Sequence, residues 1–473
     1  MPGPGSPLAL LGALAGADVI RTGAADLEAV QQDHRRLYRG KALALALPRT
    51  VDEVSRILAF CHARRIAVVP HAGNTSYCGG ATPDESGTQL VLSLRRMDKV
   101  RSVDPGDYSM VAEAGCILAN LQQAAEAAGR FFPLSLGAEG SCQLGGNLST
   151  NAGGLNVVRY GMARDLVLGL EVVLADGRVL STLSTLRKDN TGYDLKSLFV
   201  GAEGTLGVIT AASLRLFPRP RDVATAFVAV PEPRTAVELL ARLRESSGDR
   251  VGSFELVPRV AVELVARHVP GVAAPLGIGS PWYVLCELTS PRADEGLGAL
   301  LERELAAALE AGLATDAAVA QNERERQAFW RLRESIPEAQ TREGASLKHD
   351  VSVPVSRLPD FLRRASAWVQ GHVEGAVLVA YGHVGDGNLH FNLGQARGAD
   401  AALLKSQEPA IRRAIHDLVH EFGGSFSAEH GIGRLKVDEL ARYAPPLELE
   451  LMRAVKRAFD PHGIMNPGKV LKT

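Results

Sequence analysis

Two histidines flanking a glycine-rich turn carry the densest chemistry in the sequence: Gly382-His383-Val384-Gly385-Asp386-Gly387-Asn388-Leu389-His390-Phe391-Asn392. The apolar runs around them, from Ala376 to Leu393, predict two antiparallel strands about a Gly-Asp-Gly-Asn turn. With a four-residue loop, Val384 pairs with Leu389 and His383 lies directly opposite His390, with Asn392 next on that face by the period of two. Opposed side chains have Cβ atoms about 4.5–5.5 Å apart, so two imidazoles can converge on one ion. A third ligand is at hand in Ser427-Ala428-Glu429-His430-Gly431, where an acid and a base stand side by side before a glycine turn. His383, His390 and Glu429 would leave positions open on a divalent cation, and open positions mean substrate rather than a structural staple. Nitrogen and oxygen ligands of this kind accept zinc, manganese or another divalent ion.

A second kind of chemistry lies in the glycine-rich loops. No G-x-G-x-x-G follows a strand and no G-x-x-x-x-G-K-[ST] occurs, so neither a Rossmann site nor a P-loop is supported, and a nicotinamide dehydrogenase is disfavoured. Instead, a strand Ala67–Pro70 runs into His71-Ala72-Gly73-Asn74-Thr75-Ser76, where small residues let successive backbone N–H groups point at one anion such as a pyrophosphate. Ser135-Leu136-Gly137 with Gly145-Gly146-Asn147-Leu148-Ser149-Thr150-Asn151-Ala152-Gly153-Gly154 form a second such stretch. Gly201-Ala202-Glu203-Gly204-Thr205-Leu206-Gly207-Val208-Ile209 is a third. One loop of this type is an ordinary tight turn; three in one region, rich in hydroxyls and amides, make a cofactor cradle.

The order of these segments resembles the FAD-binding domain of the vanillyl-alcohol-oxidase (PCMH) type, and the likeness extends over nearly the whole chain. It implies that Gly73, Asn74 and Thr75, with Pro70, Ala72 and Ser76 beside them, hold the pyrophosphate. It also implies that Ser135, Gly137, Gly145, Gly146, Asn147, Thr150, Asn151, Gly153 and Gly154 line FAD. Glu203, Gly204, Gly207 and Ile209 of the third loop, and Asn466 in the tail, complete that set. Some relatives link FAD covalently through a histidine of the first loop; the matching position here is Asn74, with His71 outside it, which implies non-covalent FAD. The histidine hairpin with Glu429-His430-Gly431 narrows the resemblance to the FAD-linked D-2-hydroxyacid dehydrogenases. In that group the matches of His383, His390 and Glu429 bind zinc or a similar ion, and the match of His430 is the general base. The implied chemistry is coherent. A 2-hydroxyacid chelates the cation through its hydroxyl and carboxylate, the cation lowers the hydroxyl pKa, His430 takes the proton, and the C2 hydrogen leaves as hydride to flavin N5.

Carboxylate recognition calls for Arg or Lys. Phe329-Trp330-Arg331-Leu332-Arg333 and Ser346-Leu347-Lys348-His349-Asp350 are similar to D-2-hydroxyglutarate dehydrogenases, in which the matches of Arg333 and Lys348 contact substrate; Asn392 is assigned to the same pocket. Where that family has a substrate-binding threonine this chain has Pro337, which opens preferences toward D-malate, D-lactate, glycolate or a bulkier acid. Electron-transfer flavoprotein, quinone or oxygen could accept the electrons, and the family implies a homodimer. Two other classes compete: a zinc hydrolase, which would have no use for a flavin cradle, and a flavin-binding subunit with little activity of its own.

The elements that must position these residues fit an α+β fold. From Pro48 to Pro220, short strands (Thr88–Leu94, Ser109–Ala114, Leu166–Leu174 and Arg178–Leu180 about an Asp176-Gly177 turn) alternate with glycine turns and two helices, Val51–Arg64 and Ile117–Gly129. Beyond Ala224, helices over Arg234–Arg244, Ala293–Ala311, Asn322–Arg342, Leu358–Val369 and Ala401–Phe422 alternate with strand-like runs Trp282–Leu288, Lys348–Val353 and Ala376–Leu393, a pattern for an α+β substrate or cap domain. The tail has a helix at Pro446–Phe459 and then a Pro- and Gly-rich end that returns to pack elsewhere. The expected division is an N-terminal helical segment 1–47, an FAD-binding domain 48–220, a substrate domain 221–415 and a C-terminal segment 416–473. Length and composition agree: 473 residues, 46% hydrophobic and 22% charged, give a large globular core, and Lys+Arg 52 against Asp+Glu 53 gives no field for nucleic acid or an anionic membrane. Five cysteines, an odd number without a C-x-x-C pair, point to a reducing compartment. The apolar stretch Leu8–Ala17 is too short to span a bilayer and lacks the basic flank of a signal peptide, so the expected location is the cytoplasm and the stretch reads as a first core helix.

Overall fold

The computed structural model describes residues 7–16 and 18–472. Of the apolar stretch at the N-terminus, a helix covers Pro7–Ala15 and buries Leu11 and Ala15; Ala17 and residues 1–6 lie outside the described residues. The chain forms two compact units, the first from residues up to 153, 161–219 and 429 onward, the second from 154–160 and 220–428.

In the first unit a four-stranded sheet has the order β1 (Ile20–Arg21), β2 (Ala42–Ala46), β4 (Gln89–Ser93), β3 (Val68–His71). β2, β4 and β3 run parallel, and β2 and β4 are buried almost throughout, as strands covered on both faces must be. The helix Val51–Arg64 between β2 and β3 starts where Thr50 accepts a hydrogen bond from the Glu53 amide, stops at a left-handed Arg65, and buries Val54, Ile57, Leu58 and Cys61. A second, antiparallel sheet has the order β5 (Val100–Asp104), β6 (Ser109–Glu113), β10 (Val208–Arg215), β8 (Val167–Val173), β9 (Val179–Ser181). The Asp-Gly turn joins β8 to β9 as its sequence predicts, with Gly177 at φ +88°. A Cβ there would come within 2.6 Å of the Ser55 carbonyl oxygen, so this position needs glycine for room as well as for its dihedral. A two-residue ladder joins β7 (Arg130–Phe131) and β11 (Phe217–Pro218).

Among the described residues, the second unit has two sheets. One is ordered β13 (Val251–Pro258), β14 (Trp282–Ser290), β12 (Asp222–Val230), β15 (Asp316–Val319). In the other, β19 (Asn388–Gln395) pairs with β16 (Ser346–Leu347), β17 (Asp350–Ser352) and β18 (Ala376–Tyr381). Helices Pro233–Ser247, Leu297–Glu310, Leu358–His372 and Glu408–Glu421 bury apolar stripes in the core around them.

Several boundaries differ from the sequence expectation. The predicted helix Asn322–Arg342 is two, Glu323–Glu334 and Ile336–Glu343, because Pro337 brings no N–H to the i−4 ladder and belongs in a first turn. Ala401–Phe422 likewise splits into Ala401–Ser406 and Glu408–Glu421, with Pro409 opening the second helix. A division at 415/416 falls inside that second helix, whose Ile411, Ile415, His416 and Val419 are buried together; the chain changes unit after Ala428 instead. The described residues of the expected segment 1–47 do not stand apart, since β1 and β2 belong to the first sheet, and 154–160 joins the second unit.

All five cysteines are free and buried. Burial pushes the Cys61 and Cys286 thiols up to about 12 and Cys116 to about 11, and the thiolate is the reactive form. The folded protein at pH 8 is therefore expected to react with a chromogenic disulfide reagent at far below one thiol per chain within minutes, and at five per chain in guanidinium. Rapid labelling of the folded state would contradict this packing.

Candidate active site

Three glycine-rich segments and the tail meet in the first unit. Ala72 lies against Gly146 and Pro70 against Gly204, and a Cβ added at these glycines would come within 3.0 Å and 2.8 Å of them. The Glu203 amide donates to the Ser149 carbonyl at 2.8 Å, and the Gly201 amide to Leu148 at 3.0 Å. Asn466 joins the first and third of these regions: its backbone amide donates to Val68, and its side chain donates to the Gly80 and Glu203 carbonyls at 3.0 and 2.8 Å. Gly73 packs backbone to backbone on Ser141, whose carbonyl oxygen would sit 2.3 Å from an added Cβ. Among the described residues, the sealed Gln143 Oε1, Asn147 Oδ1 and both His71 ring nitrogens have no hydrogen-bond partner. Orphaned polar atoms and bare backbone along one cradle fit a polar cofactor laid across it.

Other predicted cofactor residues are spent locally. Ser135 donates to Glu139 at 2.6 Å, Thr150 to the Gly146 carbonyl at 3.0 Å, Asn74 to the Gln32 carbonyl at 2.8 Å, and Asn151 accepts from the Arg164 amide at 2.9 Å. Gly207 and Ile209 serve the sheet: Ile209 opposes Val172, and a Cβ on Gly207 would come within 2.9 Å of the Val172 side chain. Gly137 has nothing within 4 Å of an added Cβ. Ser76 accepts from the Cys78 amide with Thr75 on the same loop, Gly145 lies in the helix Leu144–Ser149, and Gly153 and Gly154 follow that helix.

The Glu203 carboxylate is buried and accepts from the Ile432 and Gly433 amides at 2.7 and 2.8 Å, although burial pushes its pKa up. It thereby fixes the turn that follows His430. The His430 ring stands edge-on to Tyr77, with centroids 4.6 Å apart, and the Cys78 thiol donates to the Gly431 carbonyl. Neither Tyr77 nor this use of Glu203 is visible in sequence, because the partners are more than 200 residues away.

In the second unit the histidine hairpin departs from its expected register. Tyr381, not His383, opposes His390, and Val379 opposes Asn392. The loop runs from Gly382 to Gly387 because Gly382, at φ +143°, leaves β19 and exchanges two hydrogen bonds with Leu256 of β13 at 2.8 and 3.0 Å. A shift of two residues keeps the face, and the two imidazoles still meet edge to face with centroids 5.4 Å apart. His383 is buried, and its Nδ1 donates to Glu255 Oε1 at 2.5 Å. Arg333, expected as a carboxylate ligand, is buried and not on a solvated helix face; it donates to Glu255 Oε2 from Nε at 2.8 Å and Nη2 at 2.7 Å, and lies over the Tyr381 ring at 4.8 Å. Burial acts to raise the Glu255 pKa, but its pairing with His383 and Arg333 outweighs that and holds the group at about 2. Burial pushes Asp386, in the hairpin loop, up to about 6. Sequence reasoning missed Glu255; its signal was a lone carboxylate in the apolar run Phe254-Glu255-Leu256-Val257.

Lys348 lies between β16 and β17, where Leu347 opposes Leu393 and the Phe391 amide donates to the His349 carbonyl, which sets it alongside Asn392. Asn392 itself donates to Gln340 at 3.1 Å. Glu429 directly follows a segment stitched to β17: Ser425 and Ser352 exchange hydrogen bonds, and the Ala428 amide donates to the Asp350 carbonyl at 3.3 Å. Asp350 opposes His390.

Comparison with known proteins decides what cradle this is. Residues 42–183 match the family described as FAD binding domain, and residues 219–470 match FAD linked oxidases, C-terminal domain. The chain belongs to the FAD-linked oxidases. It is 44% identical over 456 residues to the mitochondrial D-2-hydroxyglutarate dehydrogenase of Bos taurus, covering 95% of this chain and 80% of that protein. It is 36% identical over 454 residues to the D-2-hydroxyglutarate dehydrogenase of Xanthomonas citri pv. viticola, covering 96% and 94%. Among solved structures, p-cresol methylhydroxylase with substrate bound superposes with a TM-score of 0.74 at 17% identity, covering 98% of this chain and 96% of that one, which shows the shared fold. This FAD-linked oxidase is thus an FAD-dependent oxidoreductase with an FAD-binding domain of the PCMH type. Among the described residues, no helix is long and apolar enough to cross a membrane.

Two outcomes test the cradle. Gly73→Ala, which drives a Cβ onto the Ser141 carbonyl, is expected to lower the flavin-to-protein ratio at least several-fold in visible absorbance; full flavin content would refute the close approach. His71 is held at about 4 by burial, with Arg95 adding to it. Its folded pKa lies below the ordinary 6.5, so the unfolded chain takes up the proton first and stability falls as pH drops from 6.5 toward 4. The loss amounts to on the order of 3 kcal/mol at full extent. His71→Asn should flatten that part of the denaturation profile.

Proposed function

We propose that this FAD-linked oxidase oxidises a D-2-hydroxyacid, D-2-hydroxyglutarate foremost, to the 2-oxoacid, with non-covalent FAD and one divalent cation. The observation that carries the reading is the gathering of buried His383 and Arg333 with half-buried His390 in one unit, together with the relatives' name. His383 and His390 would hold the cation, zinc or another divalent ion, with Glu429 as third ligand. FAD in the cradle supplies the two-electron acceptor, and the cation supplies the Lewis acid that lowers the hydroxyl pKa.

The chain's own residues do the rest. His430 takes the hydroxyl proton at a ring nitrogen; the Tyr77 edge and the Glu203-held turn fix where that ring stands. Arg333 and Lys348 orient the substrate carboxylates, with Asn392 beside them, and Arg333 is held in place before substrate arrives. The cradle residues Pro70, Ala72, Gly73, Asn74, Thr75, Ser76, Gly145, Gly146 and Asn147 hold FAD through backbone and amide groups. Asn74 stands where a linking histidine would be, and the His71 ring nitrogens are sealed from solvent, which supports a cofactor without a covalent link.

Pro337 supports a second reading. It opens the helix Ile336–Glu343 and brings no hydroxyl, so a preference displaced toward D-malate, D-lactate or glycolate is the alternative. Electron-transfer flavoprotein or quinone is proposed as the acceptor, and a homodimer as the assembly. The free, buried cysteines support the cytoplasm as the location, although the bovine relative is mitochondrial by name.

The deciding experiment is the visible spectrum of anaerobic protein with D-2-hydroxyglutarate, D-malate, D-lactate or glycolate, before and after EDTA. The expected result is bleaching of the flavin band by one D-acid, most readily D-2-hydroxyglutarate, lost with chelator and restored by zinc. A yellow protein that no D-acid reduces would overturn the reading, and bleaching indifferent to EDTA would remove the cation from it.

A further inference from the structure

We propose that Glu255 is a positioning residue that fixes His383 and Arg333 at once, coupling the grip on the cation to the grip on the substrate carboxylate. The inference rests on the metal reading above and deepens it.

Glu255 is fully buried on β13, and its two oxygens are divided between two partners. An ionised carboxylate only accepts hydrogen bonds, so at 2.5 Å from Oε1 it is His383 Nδ1 that carries the hydrogen. That assignment leaves Nε2 as the lone-pair nitrogen, the one a cation can take, and fixes the plane of the ring. Oε2 receives Arg333 through Nε and Nη2 at 2.8 and 2.7 Å. Two nitrogens on one oxygen set the guanidinium plane, while the Tyr381 ring, opposite His390 in the ladder, supports its face.

The backbone prevents slippage. Leu256 and Gly382, the next residue after Glu255 and the one before His383, exchange a pair of hydrogen bonds. The carboxylate and the imidazole are therefore held in register by the same bridge that opens the hairpin loop. Aspartate at position 255 would be shorter by one methylene and would have to release His383 or Arg333.

The test uses FAD-loaded wild type, Glu255→Gln, Glu255→Asp and His383→Ala, with zinc affinity measured by competition against a chromogenic chelator and KM and kcat measured for D-2-hydroxyglutarate. Glu255→Gln is expected to weaken zinc binding about 10–100-fold, the range for partners of metal-bound histidines, and to raise KM several-fold while flavin content stays at the wild-type value. Glu255→Asp should fall between wild type and Glu255→Gln; because it keeps the charge, it decides the matter by the same two numbers if Glu255→Gln does not fold. Zinc affinity within twofold of wild type in the folded variants would overturn this inference alone. Wild type that binds zinc no better than His383→Ala would overturn the metal reading and this inference with it.

Discussion

The second unit is organised around one buried carboxylate. Removing Glu255 from water is costly, and the cost is offset only because an imidazole and a guanidinium converge on it. Satisfying it dictates where β13 must stand relative to the hairpin loop, which nitrogen His383 presents, and how Arg333 lies against Tyr381. Such a site tolerates little rearrangement, because removing any partner leaves an uncompensated charge in a core of Phe254, Leu256 and Val384.

The first unit solves a different problem with a related device. A flavin cradle needs backbone close to the cofactor, so its loops are short of side chains and weak in cohesion. Here cohesion comes from polar groups acting on backbone: Asn466 on two carbonyls and Glu203 on two amides. Lys456 adds three more contacts, donating to the Thr205 and Met465 carbonyls and to Asp460, which in turn accepts from the Ile464 and Met465 amides. The tail is thereby part of the cradle's wall, and Glu203 ties the third glycine-rich loop to the turn behind His430.

Helices with clear caps and stripes were legible at once. Val51–Arg64 and Pro446–Phe459 have the bounds read from sequence, because a Thr cap, a proline start and 3–4 spacing are local signals. The helix breaks at Ser335 and Gln407 were less so: in each case a proline two residues on starts a new helix within a pattern that reads as continuous. β12 and β13 carry no such local signal, since their buried residues follow one another without alternation.

By itself, the sequence determined the chemical inventory: glycine-rich loops that fit a cofactor, and a pair of histidines near one another on the chain with an acid and base later. Those are properties of residue type and short spacing. Only the tertiary structure decided the hairpin register, because the competing hydrogen-bond partner of Gly382 is Leu256, more than a hundred residues earlier. It alone decided that Arg333 is buried, that Glu255 joins it to His383, and that Glu203 holds the turn after His430. Each of these depends on a charge finding a partner distant in sequence, and the spacing between them carries no trace of that pairing.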